Sequence, residues 1–155
     1  MNERVAVRRE YPERPIVGVG AVIVRDGRVL IVRRRYEPLA GRWSLPGGTL
    51  ELGETLEAGV AREMQEETGL DVEVGPVIEV FDRILLDADR RVQYHFVLVD
   101  YLCRPVGGEL RAGSDVDDAI FVDPVGLGPY DLTAKARAVI DRALELAREA
   151  PRPVR

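Results

Sequence analysis

Six glutamates crowd into residues 51–67, at positions 51, 54, 57, 63, 66 and 67. Three of them, Glu63, Glu66 and Glu67, stand at i, i+3 and i+4. In a helix that spacing gathers three carboxylates on one side, within about a turn of each other. On a helical projection Glu67 falls between Leu56 and Val60 at the edge of the apolar stripe; Glu63 lies beside Leu56, and Glu66 further round. Carboxylates packed at the rim of a buried face repel one another and lose hydration. Both penalties fall when a hard divalent cation sits among them. Donors that are all oxygen favour Mg2+, or Mn2+, over Zn2+. The plain alternative, for three glutamates taken alone, is a solvated helix face.

The preceding segment, Leu45-Pro46-Gly47-Gly48-Thr49-Leu50-Glu51-Leu52-Gly53-Glu54, reads as a glycine-rich loop feeding the acidic helix. Glycine lets backbone groups approach a ligand closely. Gly59 lies inside the expected helix, where glycine costs ~1 kcal/mol relative to alanine, so close packing against a neighbour is expected there. A second acidic run, Asp115-Val116-Asp117-Asp118, lies further on. It lacks the glycine and closing glutamate of a calcium-binding loop, and a solvated turn is its plain reading.

Gly48, then Glu54, then Arg62-Glu63-Met64-Gln65-Glu66-Glu67-Thr68-Gly69-Leu70 resembles the Nudix box, G-x5-E-x7-R-E-U-x-E-E-x-G-U, at every specified position. The resemblance covers residues 48–70 in its motif and implies an α/β chain with the Nudix fold, an α-β-α sandwich around a mixed β-sheet. It implies Glu63, Glu66 and Glu67 as metal ligands, with the Gly47 carbonyl as a backbone ligand and Asp115 as an added ligand from a later loop. Arg62 and Glu54 match residues that brace loop and helix; an arginine beside carboxylates can hold one by a bidentate bond. The implied activity is Mg2+-dependent cleavage of a phosphoanhydride, with Mn2+ as the substitute ion. Glu63 or Glu66 would take the proton from the attacking water.

The expected substrate is a small-molecule nucleotide. Arg33 and Arg35 share one face of a strand and Arg34 the other, so Arg33 and Arg35 are candidate phosphate contacts. Gly48, Trp43 and Phe81 are candidates for close approach and for stacking on a base. The N-terminal arm resembles the extra strand that some ADP-ribose-cleaving relatives exchange in a homodimer. The proline found past the box in many such enzymes has only Pro76 as a counterpart before residue 100. ADP-ribose or a related nucleotide sugar is the first expectation. A nucleoside triphosphate, oxidised dGTP included, is the alternative. A silent Nudix-fold nucleotide sensor is the third reading, and the full set of box glutamates speaks against it.

These residues need a scaffold. The chain has 155 residues, enough for one domain with a real core. The expected division is an arm at 1–15, a domain at 16–149 and a tail at 150–155. Strands are expected over Ile16–Val24, Val29–Arg35, Trp43–Leu45, Val72–Phe81, Val92–Cys103 and Ala119–Val122, and a short added strand around Val5 and Val7. Helices are expected over Thr55–Thr68, with Thr55 as N-cap and Gly69 as stop, and over Leu132–Glu149, capped by Asp131 or Thr133.

Composition narrows the function classes. One cysteine, Cys103, and one histidine, His95, leave no disulfide and no Cys- or His-rich zinc site. A net charge of −5 disfavours sequence-independent nucleic-acid binding. The longest apolar run, Ile16–Val24, has nine residues, against the ~20 that cross a bilayer, so no membrane partner is expected. The first ten residues lack the apolar core of a secretion signal, and a cytoplasmic location is the expectation.

Overall fold

A computed structural model describes residues 8–113 and 115–149. Seven strands form one sheet: β1 (Ile16–Arg25), β2 (Arg28–Arg34), β3 (Trp43–Ser44), β4 (Gly47–Thr49), β5 (Leu70–Leu86), β6 (Val92–Gly108) and β7 (Val116–Val122). Helix α1 is Leu56–Thr68 and α2 is Ala134–Glu149. The spatial order is β3-β2-β1-β6-β5, with β4 on β1 and β7 on β2. The β1–β6 pairing is parallel and the others are antiparallel, so the sheet is mixed. Among the described residues no helix is long and apolar enough to cross a membrane.

Each helix covers one side of the sheet. On β1, Val19, Ala21 and Ile23 pack with Val60 and Met64 of α1, while Val22 packs with Val139, Ile140 and Ala143 of α2. Alternation along the strand divides one apolar run between two cores, which is why β1 reads as continuously hydrophobic. Gly18 and Gly20 fall on the Val22 side.

Helix α1 begins and ends where its capping residues stand. The Thr55 hydroxyl accepts from the Ala58 amide, and Gly69 closes the helix at φ 74°, in the left-handed region. Gly59 packs as expected: a Cβ there would come within 2.7 Å of Leu50 and 2.9 Å of the Glu54 carboxylate. Helix α2 is capped by Thr133, whose hydroxyl accepts from the Ala136 amide.

Three expectations are corrected. Residues 47–49 are not a free loop: β4 pairs with β1 through Gly18–Thr49, Val19–Gly48 and Gly20–Gly47. β5 and β6 are 17 residues each, longer than expected. Pro105 does not stop β6; the ladder shifts register there and continues to Gly108, as it also does past Pro76 inside β5. The short strand around Val5 and Val7 lies outside the described residues. Residues 10 and 11 of the arm are tied to the β5–β6 hairpin, with the Tyr11 amide donating to the Gln93 carbonyl and the Tyr11 hydroxyl to Asp87.

Candidate active site

The acidic face of α1 divides as the projection expects. Glu63 and Glu67 are buried, whereas Glu66 is exposed. Glu63 and Glu67 line a cavity of about 710 Å³ together with Gly47, Gly48, Arg34 and Asp115. The Gly47 amide donates to Glu67 Oε2 at 3.0 Å. Gly48 lies so close to Glu63 that a Cβ would overlap its carboxylate. Gly48, the first residue of the box, thus gives Glu63 room that any side chain would take, while a side chain on Gly47 would strike the β1 backbone at Val19 and Gly20.

Arg62 ties the face together. Its Nε and Nη2 donate to both oxygens of Glu54, at 2.6 and 2.9 Å. Its Nη1 donates to Glu63 Oε1 at 2.9 Å and to Glu66 Oε2 at 3.1 Å, and Nη2 also reaches the Thr49 carbonyl. The guanidinium fork matches the Glu54 carboxylate in the bidentate manner that lysine cannot reproduce. Glu54 is held below the usual carboxylate range by these bonds, and Arg62 is held more firmly protonated by the same partners.

The buried acids carry the opposite signature. Burial pushes Glu67 up to about 8, with the charges of Glu63 and Asp115 adding to it and the Gly47 amide and Arg34 opposing it. Burial also raises Glu63, against the pull of Arg62. Asp115 is exposed but contributes to both fields. Among the described residues no three His, Cys, Asp or Glu side chains converge as a ready-made metal cage. Glu63 and Glu66 are both drawn to Arg62 instead. The chemistry of Glu63, Glu67 and Asp115 still fits a hard divalent cation: all donors are oxygen, two are buried, and their charges repel.

Arginines and aromatics occupy the rest of the cavity. Arg34 lines it, and Arg33 and Arg35 do not. Arg33 lies over the Trp43 ring at 5.8 Å and Arg35 donates to Asp117 at 2.9 Å. The expectation for Arg33 and Arg35 is therefore corrected: Arg34 shares its face with Leu30 and Val32, the side of β2 that packs towards α1. Arg83 of β5 also lines the cavity, and burial together with the Arg34 charge lowers its proton affinity. Trp43, Gly48 and Phe81 are among the lining residues. Trp43 also packs edge-on against Tyr130, with ring centroids 5.2 Å apart. Asp100 and Lys135, which the sequence reading did not single out, complete the far end.

A family model described as NUDIX domain matches residues 14–143. The chain belongs to the Nudix family. It is 38% identical over 109 residues to an ADP-ribose pyrophosphatase of Methanocaldococcus jannaschii, spanning 70% of this chain and 62% of that protein. It is 40% identical over 109 residues to a MutT-like protein of Streptomyces ambofaciens, spanning 70% of this chain and 64% of that one. The matched part thus covers a little under two thirds of both relatives. A MutT NUDIX hydrolase structure from Burkholderia pseudomallei superposes with a TM-score of 0.73 at 36% identity, over 84% of this chain and 98% of that one. The Nudix α/β sandwich read from the box is the fold observed.

Proposed function

We propose that this Nudix chain is a metal-dependent pyrophosphohydrolase that cleaves a nucleoside diphosphate linked to a second moiety, with ADP-ribose or a related nucleotide sugar as substrate. The observation that carries the reading is the pair Glu63 and Glu67, buried one turn apart and opening on the same cavity as Arg34. The M. jannaschii relative, named for ADP-ribose, supports the choice of substrate.

Glu63, Glu67 and the Gly47 carbonyl, with Asp115, would hold Mg2+, which supplies Lewis acidity towards a phosphoanhydride. Arg34 lines the same cavity, with its charge reaching Glu67, and would bind phosphate oxygens as a fixed cation. Glu63 Oε2 carries no bond from Arg62 and is the atom that accepts the proton of the attacking water. Arg62 keeps Glu63 in place through Oε1 while Glu54 fixes Arg62. Glu66, on the outer side of the same guanidinium, is a positioning residue in this arrangement. The two products each carry a phosphate.

Product analysis with and without Mg2+ tests this. AMP and ribose phosphate from ADP-ribose, formed only with the ion, is the expected result. Release of pyrophosphate from oxidised dGTP, at a higher kcat/KM than ADP-ribose cleavage, would move the assignment to triphosphates. Tight nucleotide binding without any product would make the domain a sensor.

A further inference from the structure

Asp100 stands alone in an apolar stretch of β6, Phe96-Val97-Leu98-Val99-Asp100-Tyr101-Leu102-Cys103. Its side chain is 7% exposed and lines the cavity. No hydrogen bond or ion pair engages its carboxylate among the described residues, yet no fully enclosed side-chain oxygen lacks a partner. Its oxygens therefore open onto the cavity itself. Burying a charge without a partner is expensive, and the catalytic arrangement above gives Asp100 no task.

The surroundings define what would satisfy it. Asp100 pairs with Gly20 across the β1–β6 ladder, and a Cβ on Gly20 would stand 2.5 Å from Asp100 Oδ1. Gly18, two residues back on the same face, has Leu98 over it at 2.6 Å from its own Cβ position. The missing Gly20 side chain thus gives the Asp100 carboxylate the place it occupies, beside Leu98 over Gly18. The cation whose charge reaches it is Lys135 of α2, but that lysine is bonded to Glu79, the residue opposite Asp100 on β5, and lies over the Phe81 ring. Lys135 is thereby engaged elsewhere, and Asp100 is an acceptor with no donor. Gly47 and Asp100 both pair with Gly20, from the two strands flanking β1, and line the same cavity as Glu63 and Glu67. The carboxylate therefore stands beside the region that would hold the diphosphate.

We infer that Asp100 is a specificity-determining residue, its carboxylate accepting two adjacent hydrogen bonds from a neutral donor pair on the substrate moiety beside the diphosphate. This rests on the function proposed above. An ionised carboxylate has only acceptors, so it matches a pair of donors and rejects an edge that presents an acceptor. Two groups supply such a pair: the vicinal hydroxyls of a ribose, and the N–H and amino edge of a guanine-type base.

Steady-state kinetics of the wild-type chain and Asp100→Asn, with Mg2+, separate the sources. One arm compares ADP-ribose with analogues lacking one hydroxyl of either ribose. The other compares dGTP with dITP, which lacks the exocyclic amine. The expected result is a penalty of 10-fold or more in wild-type KM for one of these losses. Asp100→Asn should raise KM for the intact compound by a similar factor, more than it lowers kcat, and erase that penalty. Thermal melting of the variant at or above the wild-type temperature excludes unfolding as the cause. KM values within twofold of wild type for Asp100→Asn, or no wild-type penalty in either arm, would overturn the inference. Should the wild-type chain cleave none of these compounds, the proposed function fails, and titration calorimetry with the same pairs still decides the role of Asp100.

Discussion

The Gly47 amide donates to Glu67 Oε2 at 3.0 Å, joining strand β4 to the last turn of α1. The glycine just before the box thus places a buried carboxylate from 20 residues away. The amide lowers the proton affinity of Glu67, but burial outweighs it. A cation relieves that imbalance, and removing the charge relieves it differently.

Glu67→Gln accordingly separates fold from metal binding. Without Mg2+ the variant should melt at or above the wild-type temperature, because a buried charge is gone. Added Mg2+ should stabilise the wild-type chain by mass action and leave the variant unmoved. Turnover should fall about 10²-fold or more. Asp115→Asn, on an exposed residue, should lose less. Differential scanning calorimetry with a Mg2+ titration, paired with turnover assays, checks both. A wild-type Mg2+ shift retained in Glu67→Gln would take Glu67 off the ligand set.

Arg62→Lys should keep the charge and lose the fork. Urea unfolding should show a loss of about 2–3 kcal/mol, since charge-assisted bonds to Glu54 and Glu63 are removed together. kcat should fall with KM little altered, because Glu63 is released rather than removed. Full activity in Arg62→Lys would show that the bidentate geometry is dispensable.

Gly48→Ala places a methyl where the Glu63 carboxylate now lies. The carboxylate is the far end of a flexible side chain, so the fold should survive with a small change in melting temperature. Activity should drop about 10-fold or more, the scale of a misplaced reacting group. Circular dichroism and turnover together read the two effects.

Arg34→Ala and Arg33→Ala form a pair. Arg34 lines the cavity and Arg33 lies over Trp43. Arg34→Ala should raise KM for the nucleotide by about 10-fold or more, the loss of one charge-assisted phosphate contact. Arg33→Ala should leave KM within about twofold, as a surface change does. The reverse order would place phosphate binding on the other face of β2.

Asp100 gives the chain a pH dependence of stability. Burial, with the neighbouring Glu79 charge, raises it from 3.8 to about 6, while Lys135 opposes the shift. The folded state then holds a proton that the unfolded chain releases, so stability falls as pH rises from about 4 to about 6. The loss from this group is of order 3 kcal/mol. Asp100→Asn should remove that portion of the slope and leave a more stable protein at pH 7, read by chemical denaturation across the window.

What the sequence disclosed follows from how local each signal is. Thr55, Gly69 and the spacing of Glu63, Glu66 and Glu67 belong to one helix, and capping and periodicity place them without tertiary information. Arg34 was harder. Val29 to Val32 are apolar on both faces, so the alternation has no visible phase, and only packing against α1 shows which arginine turns inward. β4 was hidden because Gly-Gly-Thr has little strand preference of its own; its partner, β1, lies about 30 residues earlier in the sequence. Pro105 read as a strand end because the register shift that absorbs it forms between two strands, β5 and β6. Asp100 did leave a mark, a single acid inside an apolar strand, and that mark is the kind most worth following.

β1 carries β4 on one side and β6 on the other, so the glycines beside the acids and the place that Asp100 occupies hang from a single spine. Neither end of the chamber can loosen on heating while that spine stays intact. Inactivation should therefore track global melting, with no temperature at which intact but inert molecules accumulate.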